Sequence, residues 1–153
     1  MWKIHRDFPH LDIRPNRNSY GAVMNAWAKS SVLDAPESAS RILMEMWQRY
    51  DEEGDKSLAP NTVVYSSLID AWSSVAAGKN AESVLREMWT RYEAHPDIKP
   101  NQNSYGAVIN AWAKSGAPEQ ACRILEEMWE RYEKGGDASL APNTITYSSL
   151  IDA

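Results

Sequence analysis

The 153-residue chain is predicted to be all-α, a superhelical solenoid of helix-turn-helix repeats. Three observations carry that expectation. The first is aromatic register: 7 Trp and 7 Tyr stand against a single Phe, and every Trp and Tyr belongs to a recurring column. Tyr20, Tyr65, Tyr105 and Tyr147 follow Pro15, Pro60, Pro100 and Pro142 at one fixed distance, and Trp27, Trp72 and Trp112 follow the first three at another. Trp2, Trp47, Trp89 and Trp129 each follow a Met, with Tyr50, Tyr92 and Tyr132 one helical turn beyond the last three. The second observation is an i, i+3, i+4, i+7 apolar spacing inside each unit, which marks amphipathic helices. The third is a short breaker midway through each unit. A helix pair of this size cannot bury its apolar stripe alone, so successive pairs must stack.

The elements follow in order. A first helix is expected from about Ser19 to Lys29, with Tyr20, Val23, Met24 and Trp27 on one face; Tyr65, Leu68, Ile69, Trp72 and Tyr105, Val108, Ile109, Trp112 are its counterparts. A second helix is expected from Glu37 to about Tyr50, burying Ala39, Ile42, Leu43 and Met46, with counterparts beginning at Ala81 and Ala121. Glu45 and Arg49, Glu87 and Arg91, and Glu127 and Arg131 stand in the i, i+4 order that supports a helix. Asp34-Ala35-Pro36, Gly78-Lys79-Asn80 and Gly116-Ala117-Pro118 are the breakers, with Pro36 and Pro118 suited to a first helical turn and Asn80 to an N-cap. The units are residues 17–61, 62–101 and 102–143, preceded by the end of another at 1–16 and followed by a first helix at 144–153. Met1-Trp2 and Tyr147 to Ala153 both match repeat interiors, so a stretch of a longer array is expected.

Composition bounds the chemistry. No apolar run approaches the length of a membrane helix, and no membrane partner is expected. One cysteine excludes an internal disulfide and a Cys-based zinc site; Cys122 is expected in the small buried slot beside Ala121. His5, His10 and His95 have no ligand spacing, and no nucleophile motif, paired-carboxylate pattern or phosphate loop occurs. Neither catalysis nor a cofactor nor a metal is expected. The net charge of −5 is unevenly spread: segments 37–53, 82–93 and 119–134 hold 13 of the 21 acidic residues but only 7 of the 16 basic ones. The acidity therefore belongs to the second helices, the expected outer wall, and leaves the first-helix layer near neutral.

Pro-Asn-Thr-Val-Val-Tyr-Ser-Ser-Leu-Ile-Asp-Ala-Trp (60–72) and Pro-Asn-Thr-Ile-Thr-Tyr-Ser-Ser-Leu-Ile-Asp-Ala (142–153) resemble the first helix of a pentatricopeptide repeat. Ala-Trp-Ala-Lys-Ser-Gly and the Glu-rich helix after it (111–128) resemble the remainder, and the tetratricopeptide pattern fits less well. The resemblance covers essentially the whole chain. The units are longer than the family's usual one: additions lie around Val32 to Asp34 and between each Met-Trp and the next Pro, as at 51–57 and 133–137.

The resemblance implies a right-handed superhelix and a module that binds single-stranded RNA at about one base per repeat, in the processing, stability or translation of mitochondrial or plastid transcripts. Other proteins of an organellar assembly, such as a ribosome, are the alternative partners. It implies base selection by the residue after each Tyr together with the residue after the Pro that ends the repeat: Gly21 with Asn61, Ser66 with Asn101, and Gly106 with Asn143, while Ser148 has no second member in the chain. Ser with Asn resembles an adenine-selecting pair. Val63 and Ile145 match the residue that wedges a base, where Asn18 and Asn103 depart; Lys29 and Lys114 match a phosphate-contacting lysine, where Ser74 departs. A polar ledge is expected along the first helices: Gly21, Asn25, Ala28, Lys29; Ser66, Asp70, Ser73, Ser74; Gly106, Asn110, Ala113, Lys114; Ser148, Asp152. Two plainer readings stay open: the glycines could let neighbouring hairpins approach closely, and Asn after Pro is an ordinary turn or cap residue. The Trp and Tyr columns are assigned to the core.

Overall fold

A computed structural model of the protein describes residues 15–30 and 32–151, without the side chains of residues 145 and 149–151. The expectations for Met1, Trp2, His5, Phe8, His10, Asp152 and Ala153 fall outside the described residues. Seven α-helices and no strand occur among them: α1 (Arg17–Ala28), α2 (Ala35–Glu53), α3 (Thr62–Ser74), α4 (Gly78–Tyr92), α5 (Gln102–Lys114), α6 (Pro118–Gly135) and α7 (Thr144–Ile151). Helices α1, α3, α5 and α7 lie side by side as one layer, while α2, α4 and α6 each lean on their own partner and on the next helix of that layer. This is an all-α repeat solenoid.

The second helices are longer than their apolar stripes, at 19, 15 and 18 residues. The added residues end in 3-10 turns at Lys56–Leu58, Pro96–Ile98 and Ala138–Leu140, whose Leu58, Ile98 and Leu140 are buried. Each insertion therefore plugs the core beneath the next helix instead of hanging from it. Asp55 and Asp137 hold two of these turns by accepting from the Ser57 and Ser139 amides at 2.9 and 3.0 Å.

Several local expectations change. The α4 helix begins at Gly78 with Ala77 at the N-cap and no side-chain cap, so Asn80 lies inside the first turn and does not cap. Cys122 is exposed, not buried: one residue beyond the fully buried Ala121, the helical step turns it off the core stripe. Aromatic burial is graded. Tyr20, Tyr65, Tyr105 and Trp47 are buried, whereas Trp27, Trp72, Trp89, Trp112, Tyr50 and Tyr132 are half-buried at its edge. Trp129 and Tyr147 remain 37% and 42% exposed.

The indoles at the repeat junctions also carry a polar constraint, since a buried or half-buried N–H needs an acceptor. Trp47 Nε1 donates to Tyr65 Oη at 2.9 Å, and Tyr65 Oη donates to Glu87 Oε1 at 2.9 Å. Arg91 Nε binds the same carboxylate oxygen at 2.7 Å, and its guanidinium lies 4.2 Å from the centre of the Trp47 ring. Four residues from two repeats thus close a ring of charge-assisted hydrogen bonds and one cation–π contact. Trp89, Tyr105, Glu127 and Arg131 repeat it at 3.0, 3.0, 3.0 and 4.0 Å. Burial first, then the glutamate's negative charge, pushes the Tyr65 and Tyr105 hydroxyls far above the ordinary tyrosine value, so both stay neutral donors.

The α4–α6 seam carries a second clamp. Arg86 pairs with Glu127 at 2.6 Å, and Arg123 pairs with Glu82 at 2.6 Å. Burial would raise both carboxyls, but the hydrogen bonds from Arg86 and Arg131 on Glu127, and from Arg123, Trp112 and Arg86 on Glu82, hold them below the ordinary glutamate value. At the α2–α4 seam Ser40 and Met44 stand where α4 has Glu82 and Arg86, leaving a cleft among Leu43, Met44, Trp47, Leu68 and Val84 with Met44 62% exposed.

Gly78, expected only as a breaker, packs directly against the next repeat. A Cβ there would meet the Trp112 ring at 2.5 Å, and Trp112 is pinned by its Nε1 bond to Glu82 at 3.0 Å. Gly78→Ala is expected to lower the unfolding free energy by about 1–3 kcal/mol through overpacking, read as a drop in the urea midpoint at unchanged m-value. Tyr65→Phe leaves the buried Trp47 N–H without its acceptor. It is expected to cost about 1–3 kcal/mol in the same measurement, and a loss too small to resolve would show that the ring is ornamental.

Candidate functional site

The uncovered face of the α1–α3–α5–α7 layer is the site. Its helices start alike. Asn61 Oδ1 accepts from the Val64 amide at 3.1 Å, Asn101 Oδ1 from the Asn103 and Ser104 amides at 3.0 and 3.1 Å, and Asn143 Oδ1 from the Thr146 amide at 3.0 Å. These asparagines are therefore caps. Capping uses only the carbonyl oxygen, however. It fixes the amide's orientation and leaves Nδ2 as a pure hydrogen-bond donor.

Beside each cap lies the open flank of the preceding helix. One groove brings Gly21, Asn18, Asn25 and Arg17 together with Asn61 and Val63. The next joins Val63, Ser66 and Asp70 to Asn101, Asn103, Gly106 and Asn110, and reaches Asn143 and Thr146. The three residue pairs singled out in the sequence, Gly21 with Asn61, Ser66 with Asn101, and Gly106 with Asn143, thus share grooves. Val63 lines both grooves and is 66% exposed, an apolar side chain standing free between two polar recesses. Asn18 and Asn103, at the equivalent positions, are exposed too. Ser148 is exposed and donates to the Thr144 carbonyl at 2.8 Å; the Ile145 side chain lies outside the described residues.

The close-approach reading of Gly21 and Gly106 is overturned: a Cβ at either would meet nothing within 4 Å. The missing side chains leave room in the groove and relieve no packing. The polar ledge is also narrower than its sequence stripe. Ser73 and Ala113 are buried, because neighbouring helices of the layer cover each other's flanks, and Asn110 Nδ2 reaches back to Ser73 Oγ at 3.0 Å. Lys29 and Lys114 are exposed at the far ends of α1 and α5, away from the groove linings.

Asp70 is the groove's acidic group. Although the residue is exposed, the surrounding walls displace enough water to raise its carboxyl above the ordinary aspartate value, with the Lys114 charge pulling it partly back. Sequence reasoning missed Ser104, which is fully buried with its Oγ 3.0 Å from Ser66 Oγ and 3.3 Å from Asn101 Oδ1. A signal for it existed in the hydroxyl three residues after the capping Asn at Ser19, Ser104 and Thr146, against Val64.

Comparison with known proteins agrees with this architecture. The pentatricopeptide repeat domain model matches residues 93–153, and the PPR repeat model matches residues 63–92. No curated protein matches the chain. The crystal structure of the pentatricopeptide repeat protein PPR10 from maize superposes with a TM-score of 0.69 at 19% identity over 99% of the chain. PPR10 in complex with an 18-nt psaJ RNA element superposes at 0.66 and 23% identity, again over 99%. The chain spans only 18% and 19% of those two structures' lengths, and at such identity the likeness is one of fold. With family matches running through residues 63–153 and the same helical layers in space, the chain belongs to the pentatricopeptide repeat family.

Proposed function

We propose that the chain binds single-stranded RNA along the α1–α3–α5–α7 face, about one unstacked base per repeat, and that it serves the processing, stability or translation of transcripts in a mitochondrion or plastid. The observation that carries this reading is the series of open recesses, each pairing a first-helix position with a donor-only asparagine from the next helix. Helical-repeat proteins read unstacked bases with two or three side chains of this kind. Val63 supplies an exposed apolar edge against which a base can rest. PPR10, whose fold the chain shares, was solved with an RNA element bound, which supports the same partner.

The charge pattern fits weak, short-range binding. Arg49, Arg86, Arg91, Arg123 and Arg131 of the second helices are engaged by glutamates, so the charges nearest the grooves are those of Arg17, Asp70, Lys29 and Lys114. A protein-interaction scaffold is the second reading. It is favoured by the apolar cleft around the exposed Met44 on the opposite side of the hairpins.

Titration of the chain with short labelled single-stranded RNAs, read by anisotropy, separates the two readings. Two lysine–phosphate contacts predict a log affinity falling against log salt with a slope of about −1.4. An absence of salt-dependent binding to any RNA pool would reject RNA and favour the scaffold. The raised Asp70 value adds a pH signature. As pH falls through that value the carboxylate takes up a proton, the groove loses a negative charge and RNA binding tightens. Asp70→Asn is expected to bind more tightly at neutral pH, by on the order of 1 kcal/mol or less, and to lose the acid-side rise.

A further inference from the structure

The groove containing Ser66 and Asn101 has a buried third member. Ser104 Oγ donates to Asn101 Oδ1 at 3.3 Å and accepts from the Asn101 backbone N–H at 3.4 Å. A serine hydroxyl has one donor and two acceptor sites, so a single acceptor site remains. Ser66 Oγ lies 3.0 Å away and either hydroxyl could donate; with the Ser104 proton on Asn101 Oδ1, the donor is Ser66. With its proton committed, Ser66 offers the groove lone pairs only. Asn101, its carbonyl held by two backbone amides and the Ser104 hydroxyl, offers N–H only.

We propose that Ser104 is a positioning residue that determines base specificity, by fixing Ser66 as acceptor beside Asn101 as donor. The inference rests on the groove being an RNA site. Adenine and cytosine present an amino donor next to a ring-nitrogen acceptor on their Watson–Crick edge. Guanine and uracil present a carbonyl acceptor next to a ring N–H donor, the opposite order. With the base held in one orientation, a pair of fixed polarity separates these two classes; a freely rotating Ser66 hydroxyl leaves only the Asn101 half of that discrimination.

The neighbouring residue pairs show which parts are missing elsewhere. Thr146 Oγ1 donates to Asn143 Oδ1 at 2.9 Å and accepts from Asn143 N–H at 3.2 Å, as Ser104 does, but the facing residue is Gly106. In the first groove both parts are absent, because Gly21 faces the buried Val64. Neither glycine is packed, so a serine can be placed at either without a clash.

The test is selection of a randomised single-stranded RNA library on the whole chain, with nucleotide frequencies read at each bound position. For the wild type one position is expected to separate adenine and cytosine from guanine and uracil by about tenfold. Ser104→Ala should bring that ratio toward parity and leave other positions alone; Ser104→Thr, which has the natural precedent of Thr146, should preserve it. Gly106→Ser should create a second such position beside Thr146, whereas Gly21→Ser, opposite Val64, should not. If RNA is retained but the Ser104→Ala ratio equals that of the wild type, or no position separates the classes, Ser104 has no such role. If the wild type retains no RNA, the RNA reading itself fails.

Discussion

The bond from Trp47 to Tyr65, and its copy from Trp89 to Tyr105, is the constraint on which the solenoid depends. Apolar stripes alone drive stacking but do not set how one hairpin lies on the next, since hydrophobic burial has no direction. The ring of Trp, Tyr, Glu and Arg has direction. The indole of one repeat can satisfy its N–H only where the next repeat's tyrosine stands, and the arginine that neutralises the glutamate must also cover the indole. Registration of adjacent helices follows, and with it the spacing of the grooves on the opposite side.

Polar chemistry is therefore divided between two faces. On the second-helix side, the seam guanidiniums are paired with carboxylates, which makes an acidic wall stable without making it attractive to an anion. On the first-helix side, caps consume asparagine oxygens and leave amide hydrogens. The same residue ends a loop, starts a helix and presents a donor at a fixed angle, so pre-organisation of the groove comes from the helix start itself.

The sequence made the columns legible because an exact recurrence of Pro, Tyr, Met and Trp needs no geometry to be seen. It did not show that the columns meet. Glu87 and Arg91 read as an ordinary i, i+4 pair, and only the folded arrangement reveals that Arg91 also lies over Trp47 from the repeat before. Ser73 went wrong because burial at the flank of a stripe is decided by a neighbouring repeat, which a single helical wheel does not contain, and Cys122 because it was grouped with Ala121 although it lies one helical step off the stripe. At the site, resemblance led to Gly21, Asn61, Ser66, Asn101, Gly106 and Asn143, and the fold gathers them into shared grooves. Ser104 stayed hidden because its importance lies in three hydrogen bonds, not in its identity.

The glycines bring these threads together. Gly78 has a packing cause, for the Trp112 ring occupies the place of its side chain. Gly21 and Gly106 have none, yet each sits inside a helix, where glycine costs about 1 kcal/mol against alanine. Nothing in the hydrophobic core or the ring of aromatic and charged residues accounts for that cost. What the two positions have in common is an open recess and a donor-only asparagine across from it. Room for something larger than a side chain is the physical property these residues supply, and it is supplied beside the capping asparagines whose oxygens are already engaged.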